Sequence, residues 1–439
     1  MRSWSEGTSI SLVEAMSCGL PPAVTAVGGN LDVLGLEPAS GPMNPLAIAV
    51  FAIAVAFAGY AYVGYPCLLK LVSVLHPGRR PPNAPTSWPA VSITIPVYNE
   101  AATIAATLRR TLEIDYPAER RQIVVVSDAS TDDTDDIVRG FADRGVELLR
   151  VPVRRGKTAA ENAALPLLHG EIIVNTDASI HVPPDALRPL IAAFTDPTVG
   201  VASGRDESVT GLPDQSNQGE SGYVEYEMWL RELETRVGGI VGASGCFYAI
   251  RADLHQVCVP DGLSRDFAAA LVARERGYRA VSVPQAICFV ARTASVRNEF
   301  RRKVRTMTRG MQTLMYKRHL LNPSRFGLFA WMLFSHKVCR WLAPWAGLAA
   351  LAALGVLSVT APWARWLLGG VAVIGIAAAA GWAWPVGRVA PRLLAIPAYL
   401  VSGNVAALLA SIGAVRGARH ATWEPTRRDA APVRQVESG

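Results

Sequence analysis

The sequence predicts an α/β fold, a doubly wound and mostly parallel sheet of Rossmann-like type in the cytoplasm, joined to α-helical transmembrane segments. Three observations carry that prediction. Strand-like and helix-like stretches alternate between about 91 and 290, long charge-free stretches flank them, and only 18% of the 439 residues are charged. A soluble globular chain carries about a quarter, so the composition excludes a disordered chain and disfavours an ordinary cytosolic enzyme. The six cysteines contain no CxxC pair, which supports neither a disulfide scaffold nor a structural zinc site. The formal charge of +7 is moderate, and no nucleic-acid partner is expected.

The first membrane element lies between Glu37 and Lys70, where 32 residues carry no charge. About 20 apolar residues suffice to cross a bilayer as a helix, because lipid offers a bare backbone no hydrogen bonds. More than 40 residues precede the apolar core of this stretch, which begins at Pro45, and hold Arg2 against Glu6, Glu14, Asp32 and Glu37, so it reads as an anchor and not a signal peptide. Residues 341–364, 366–387 and 393–415 are also free of Asp, Glu, Lys and Arg. Segment 326–343 mixes Phe326, Phe329, Trp331 and Phe334 with His336, Lys337 and Arg340, the pattern of a helix lying along the headgroups. Lys70, Arg79 and Arg80 follow the first span, and Lys317, Arg318, Arg325, Lys337 and Arg340 precede the second. The positive-inside rule then puts the central segment in the cytoplasm, although Arg416, Arg419, Arg427 and Arg428 would lie outside. The expected boundaries are an N-terminal remnant 1–42, a transmembrane helix 43–75, a cytoplasmic domain 76–325, an interfacial helix 326–343, three transmembrane helices 344–415 and a polar tail 416–439.

Within the cytoplasmic segment, strands are expected at 91–95, 122–127, 146–151, 171–176 and 199–204. Their apolar runs are nearly continuous, as in strands buried on both faces of a parallel sheet. Helices are expected at 100–112 and 132–145, and such alternation builds a doubly wound sheet. Ligands bind beyond the carboxyl ends of its strands. Those ends read Pro96-Val97-Tyr98-Asn99-Glu100, Ser127-Asp128-Ala129-Ser130 and Asp177-Ala178-Ser179. An acid there accepts from ribose hydroxyls or a base N–H, or holds a divalent ion that screens phosphate. Asp132 and Asp133 suit the first turn of the next helix, favoured by its dipole. Glu225, Glu227 and Glu232 on YVEYEMWLRELETRV suit paired surface charges.

In order, PVYNE, the Asp128 turn, RRGKTAAEN (154–162), GEIIVNTDAS (170–179), GASGCFYAIR (242–251) and LSRDF (263–267) resemble family 2 glycosyltransferases. These are the membrane-embedded inverting enzymes of GT-A fold related to cellulose, chitin, hyaluronan and poly-N-acetylglucosamine synthases. The resemblance covers roughly 45–428 and rests on six individually weak motifs in one order. It implies that Pro96, Tyr98, Glu100 and Asp128 line the nucleotide-sugar site, with Glu100 and Asp128 on uracil and ribose. It places Arg154, Gly156 and Lys157 in a basic loop near the nucleotide. Asp177, with Ser179 after it, meets the diphosphate and a Mg²⁺ or Mn²⁺ ion. Asp266 deprotonates the acceptor hydroxyl, and Arg305 faces the diphosphate. From the residues alone, Asp266 reads sooner as a cap of the helix that follows it than as a base.

Some positions depart from the family pattern. Ser179 stands where a second acid is usual, Arg265 replaces the acid before the base, and Arg302 and Thr306 replace a glutamine and a tryptophan. The missing tryptophan weakens the case for a long polymer and puts transfer of one or a few sugars at least level with it. The expected function is therefore transfer of a sugar from a UDP-sugar to a glycan or lipid-linked acceptor at the inner membrane, for the cell envelope or exopolysaccharide. A processive synthase with coupled export is one alternative; an inactive scaffold subunit is another. Separately, SEGTSISLVEAMSCGLPPAVTAVGGN (5–30) resembles part of a retaining family 4 glycosyltransferase, with Glu6 and Glu14 at its spacing. So short a segment buries no core of its own.

Overall fold

The structure is a computed structural model that describes residues 43–75, 85–209, 218–291, 296–385 and 390–418. The expected remnant at 1–42 and most of the polar tail lie outside the described residues.

Eight strands form one sheet in the order β3-β2-β1-β4-β7-β6-β8-β5. They are β1 (Val91–Val97), β2 (Arg121–Ser127), β3 (Val146–Arg150), β4 (Ile172–Thr176), β5 (Ile180–His181), β6 (Val199–Val209), β7 (Phe247–Arg251) and β8 (Arg279–Ala291). The pairs β1/β2, β1/β4, β2/β3 and β6/β8 are parallel. Strand β7 runs antiparallel to β4 and β6, and β5 antiparallel to β8. The sheet is thus mostly parallel, as expected. All seven residues of β1 are buried, because helices cover both faces and leave a polar side chain nowhere to meet water.

The helices in chain order are α1 (Pro45–Leu75), α2 (Ile104–Leu112), α3 (Thr134–Arg139), α4 (Lys157–Ala164), α5 (Leu187–Ala192), α6 (Gln218–Val237), α7 (Arg265–Glu275) and α8 (Val296–Tyr316), of which α2 to α7 pack on the sheet. Then follow α9 (Leu328–Leu357), α10 (Pro362–Trp382) and α11 (Arg392–Val415). Helix α2 starts four residues later than expected. Asn99 adopts a left-handed φ of 52°, which an Asn tolerates, and the chain turns before it coils.

Four helices among the described residues, α1, α9, α10 and α11, are long and apolar enough to cross a membrane. The separate helix expected at 326–343 is not formed. Residues 328–343 are the first half of α9, which winds through a π-helical segment, Phe334–Cys339, and runs on past Pro344. Its charges are met inside the protein. His336 touches Glu227 at 2.9 Å and Glu234 at 2.6 Å, and Arg340 donates to Glu227 at 2.9 Å. Glu227 and Glu234 on α6 are accordingly buried, which corrects the expectation of a surface position for Glu227.

The chain divides into two compact units, residues 43–57 with 345–374, and residues 58–344 with 375–418. The first is held by Ala47, Val50 and Phe51 against Leu354, Leu357 and Ala364, with Phe51 and Trp363 ring to ring at 5.9 Å. The second contains the whole sheet, α8 and α11. Within it, α8 packs along α11 through Met311, Ala410 and Ala414.

Candidate active site

The sheet order reverses direction between β1 and β4, so a crevice opens there at the carboxyl ends of the strands. Pro96 shows how. The β1/β4 ladder ends at Thr94 and Asn175, whereas β1 stays paired to β2 as far as Val97. Ile172 N–H donates to Ala90 and Asp128 N–H to Val97, so even-numbered residues of β1 face β4 and odd-numbered ones face β2. The nitrogen of Pro96, which has no hydrogen to give, therefore faces β4 beyond the last pair. A proline is tolerated in this central strand because the strands have already parted.

The loops beyond β1 and β2 are stitched together around that opening. The Asn99 carboxamide oxygen accepts from Thr131 N–H at 2.8 Å, and Glu100 N–H donates to Thr134 Oγ1 at 2.8 Å. Asp132 accepts from Ala101 N–H at 3.1 Å and from Thr134, so it ties two loops besides preceding α3. Glu100 is buried and accepts from Thr103 Oγ1 at 2.6 Å. The Arg154 guanidinium lies 3.7 Å from the centre of the Tyr98 ring, close enough for cation–π attraction.

Asp128 is buried at the end of β2. Its two oxygens accept from Arg155 N–H at 2.9 Å and Gly156 N–H at 2.7 Å. Gly156 has a φ of 99°, a conformation that favours glycine, and the chain there turns into α4. Asp128 thereby sets where α4 begins, and Lys157 is its first residue.

Lys157 forms an ion pair with Asp177, at the turn after β4, and donates to the carbonyl of Gly245 at 3.2 Å. Burial works against the Lys157 charge, but Asp177, Glu161 and Asp266 together hold its ammonium above the ordinary range. Gly245 also leaves room for Asp266, since a β-carbon there would lie 2.5 Å from an Asp266 oxygen. Asp266 itself accepts from the Ser264 hydroxyl. The cap position of α7 belongs to Ser264, and Asp266 stands two residues further on in the first turn.

Asp128, Lys157, Asp177 and Asp266 therefore converge through the start of α4 and Gly245, with Tyr98 and Glu100 in the adjoining loop. Arg305 lies half-buried on α8. One turn later Arg309 donates to Thr158 Oγ1 at 2.7 Å and to the carbonyls of Gly262 and Leu263. Helix α4 gathers further partners. Thr158 donates to Leu263 at 2.9 Å, and Asn162 donates to Val259 at 2.7 Å and accepts from Arg265.

Sequence reasoning missed Arg309, Asn162 and Glu161. Glu161 is 1% exposed, and neither of its oxygens has a hydrogen-bond partner among the described residues. Its signal was an acid one helical turn after Lys157 in a run of small residues, KTAAENAA. Among the described residues no three His, Cys, Asp or Glu side chains group to hold a metal. Asp177 and Ser179 supply hard oxygen donors only, a set that suits an ion completing its shell with phosphate oxygens.

Residues 92–257 match the family described as Glycosyl transferase family 2. The chain carries a family 2 glycosyltransferase domain. Curated relatives agree. Beta-monoglucosyldiacylglycerol synthase of Nostoc sp. is 30% identical over 159 residues, 35% of this chain and 34% of its own. N-acetylglucosaminyltransferase of Rhizobium sp. is 26% identical over 246 residues, 52% of this chain and 54% of its own. The chain thus spans between a third and just over half of these relatives. Among solved structures, the mannosyltransferase PcManGT from Pyrobaculum calidifontis, in complex with GDP-Man and Mn²⁺, matches with a TM-score of 0.66. It is 24% identical and covers 84% of this chain and 100% of its own, which establishes a shared fold. The glycosyltransferase domain matched by sequence ends at 257, so Asp266 and α8 enter the site through the structure.

Proposed function

We propose that the protein is a membrane-bound inverting glycosyltransferase that moves a sugar from a nucleotide diphosphate donor to a lipid-linked or glycan acceptor. The observation that carries this reading is the convergence of Asp177, Lys157 and Asp266 at the mouth of the β1/β4 crevice. Asp266 accepts the proton of the acceptor hydroxyl, which makes a poor nucleophile a better one. Lys157, Arg305 and Arg309 supply positive charge where negative charge grows on the departing diphosphate. Asp177 and Ser179 would hold a divalent cation, which adds charge to the same oxygens. Asp128 and Glu100 frame the place for the base and ribose, with the Tyr98 ring beside them.

The relatives' printed names concern a glycolipid and an N-acetylglucosamine transfer, and the structural neighbour holds GDP-Man with Mn²⁺. UDP-sugars come first in a donor screen and GDP-sugars second. The helices α1, α9, α10 and α11 anchor the protein, and we place the glycosyltransferase domain on the cytoplasmic side. The test is nucleotide release from a panel of UDP- and GDP-sugars by the full chain in membranes, with and without EDTA. One donor is expected to react, to depend on the metal, and to lose about 10²–10⁴-fold in kcat in Asp266→Asn, with little change in donor KM. An unchanged rate in that variant, or no reactive donor, overturns the reading.

A further inference from the structure

Resting on that reading, the structure raises a question about Asp177. Its pair with Lys157 occupies the same carboxylate that a metal-bound diphosphate needs. Only Oδ1 of Asp177 is engaged, so the pair parts where the metal takes that oxygen too, and a largely buried ammonium that loses its carboxylate is costly unless another takes its place.

Glu161 stands where that replacement is required. It lies four residues after Lys157 on α4, the spacing that brings side chains face to face on a helix. Its carboxylate is buried without a hydrogen bond, an arrangement that native folds rarely keep without a use. The charges acting on it are those of the site. Lys157 and Arg265 favour its ionised form, while burial, Asp177 and Asp266 oppose it and the balance lies toward a raised pKa. The neighbouring Tyr248 hydroxyl is also buried without a hydrogen-bond partner, so it does not already occupy the acid. Ala160 precedes Glu161 and Ala164 lies three residues on, and an apolar residue would fill its space without leaving buried oxygens unpaired.

We infer that Glu161 is a positioning residue that receives the Lys157 ammonium when Asp177 turns to the metal-bound diphosphate of the donor. An ammonium has three donors. One stays on the Gly245 carbonyl, Glu161 takes the one released by Asp177, and the third is left for a phosphate oxygen. The exchange keeps Lys157 charged and in place throughout donor binding. It also spares Asp177 a competing cation.

The test is binding of UDP and of GDP, each with Mn²⁺, to the full chain in nanodiscs by calorimetry, alongside thermal midpoints. Four proteins are compared: wild type, Glu161→Gln, Lys157→Met and the double variant. Glu161→Gln is expected to weaken binding of the accepted nucleotide about tenfold, and to change it less than about twofold once Lys157 is gone. A purely structural role would instead lower the midpoint and weaken binding equally in both backgrounds, and that result overturns the inference. So does Glu161→Gln binding within about twofold of wild type. If wild type binds neither nucleotide, the proposed function falls and takes this inference with it; if it binds and only the coupling is missing, the function stands.

Discussion

Asp128 spends both carboxylate oxygens on the amides of Arg155 and Gly156, yet each oxygen keeps a second lone pair for a nucleotide. Its first task is to fix the turn that presents Lys157. Asp128→Ala would leave two backbone N–H groups without their acceptor, one of them buried. A loss of about 2 kcal/mol in stability is expected, readable by chemical denaturation, together with a fall in kcat/KM as Lys157 loses its place. Asp128→Asn keeps one acceptor and should recover part of the stability. Equal stability of the alanine variant and wild type would mean that the turn holds itself. The same residue shows how far sequence reading reaches. An acid at a strand end marked Asp128 as a candidate, but its use as a brace for a loop 27 positions away was not legible, because backbone amides leave no trace in residue identity.

At the scale of elements, the seam between α6 and the first half of α9 is a closed set of charges. Glu234 accepts from Tyr65 Oη at 2.8 Å and contacts His336, while Glu227 contacts His336, Lys337 and Arg340. Burial opposes the Glu227 charge, but His336, Lys337 and Arg340 against it more than offset that and hold the carboxyl well below the ordinary range. A depressed folded value makes the contribution complete above the unfolded pKa, near 4.5, and removes it only as pH falls through the lower folded value. Glu227→Gln leaves buried cations uncompensated, so a loss of about 3 kcal/mol is expected at neutral pH, with the gap to wild type closing in strong acid. A variant as stable as wild type at pH 7 would show the seam to be expendable. This seam was illegible in the sequence because its two halves stand about a hundred residues apart, and either half alone resembles a surface helix or a headgroup helix. Strands β1 to β4 were legible from their Val and Ile runs. Strand β8 was not, since Pro284 interrupts it; the structure accommodates that proline where the β6/β8 register shifts between Ser203 and Arg205.

On the scale of the whole molecule, the open matter is which side of the bilayer the glycosyltransferase domain faces. Lys70 near the end of α1 and Lys317, Arg318 and Arg325 ahead of α9 all lie within the unit that contains the sheet. Moving such a cluster across a membrane is disfavoured, and cations close to span ends set orientation more strongly than acids do. Under the proposed function, a nucleotide donor made in the cytoplasm requires the crevice there. Cys258, exposed just before the loop that leads to Asp266, reports on this directly. A membrane-impermeant maleimide is expected to modify Cys258 in inverted vesicles and to spare it in intact cells, with mass spectrometry of the peptide as readout. Cys288 and Cys339, both buried, serve as internal controls that stay unmodified in both preparations while the protein is folded. Modification of Cys258 in intact cells would put Asp177 and Asp266 outside, away from any cytoplasmic donor, and orientation and donor class would have to be abandoned together.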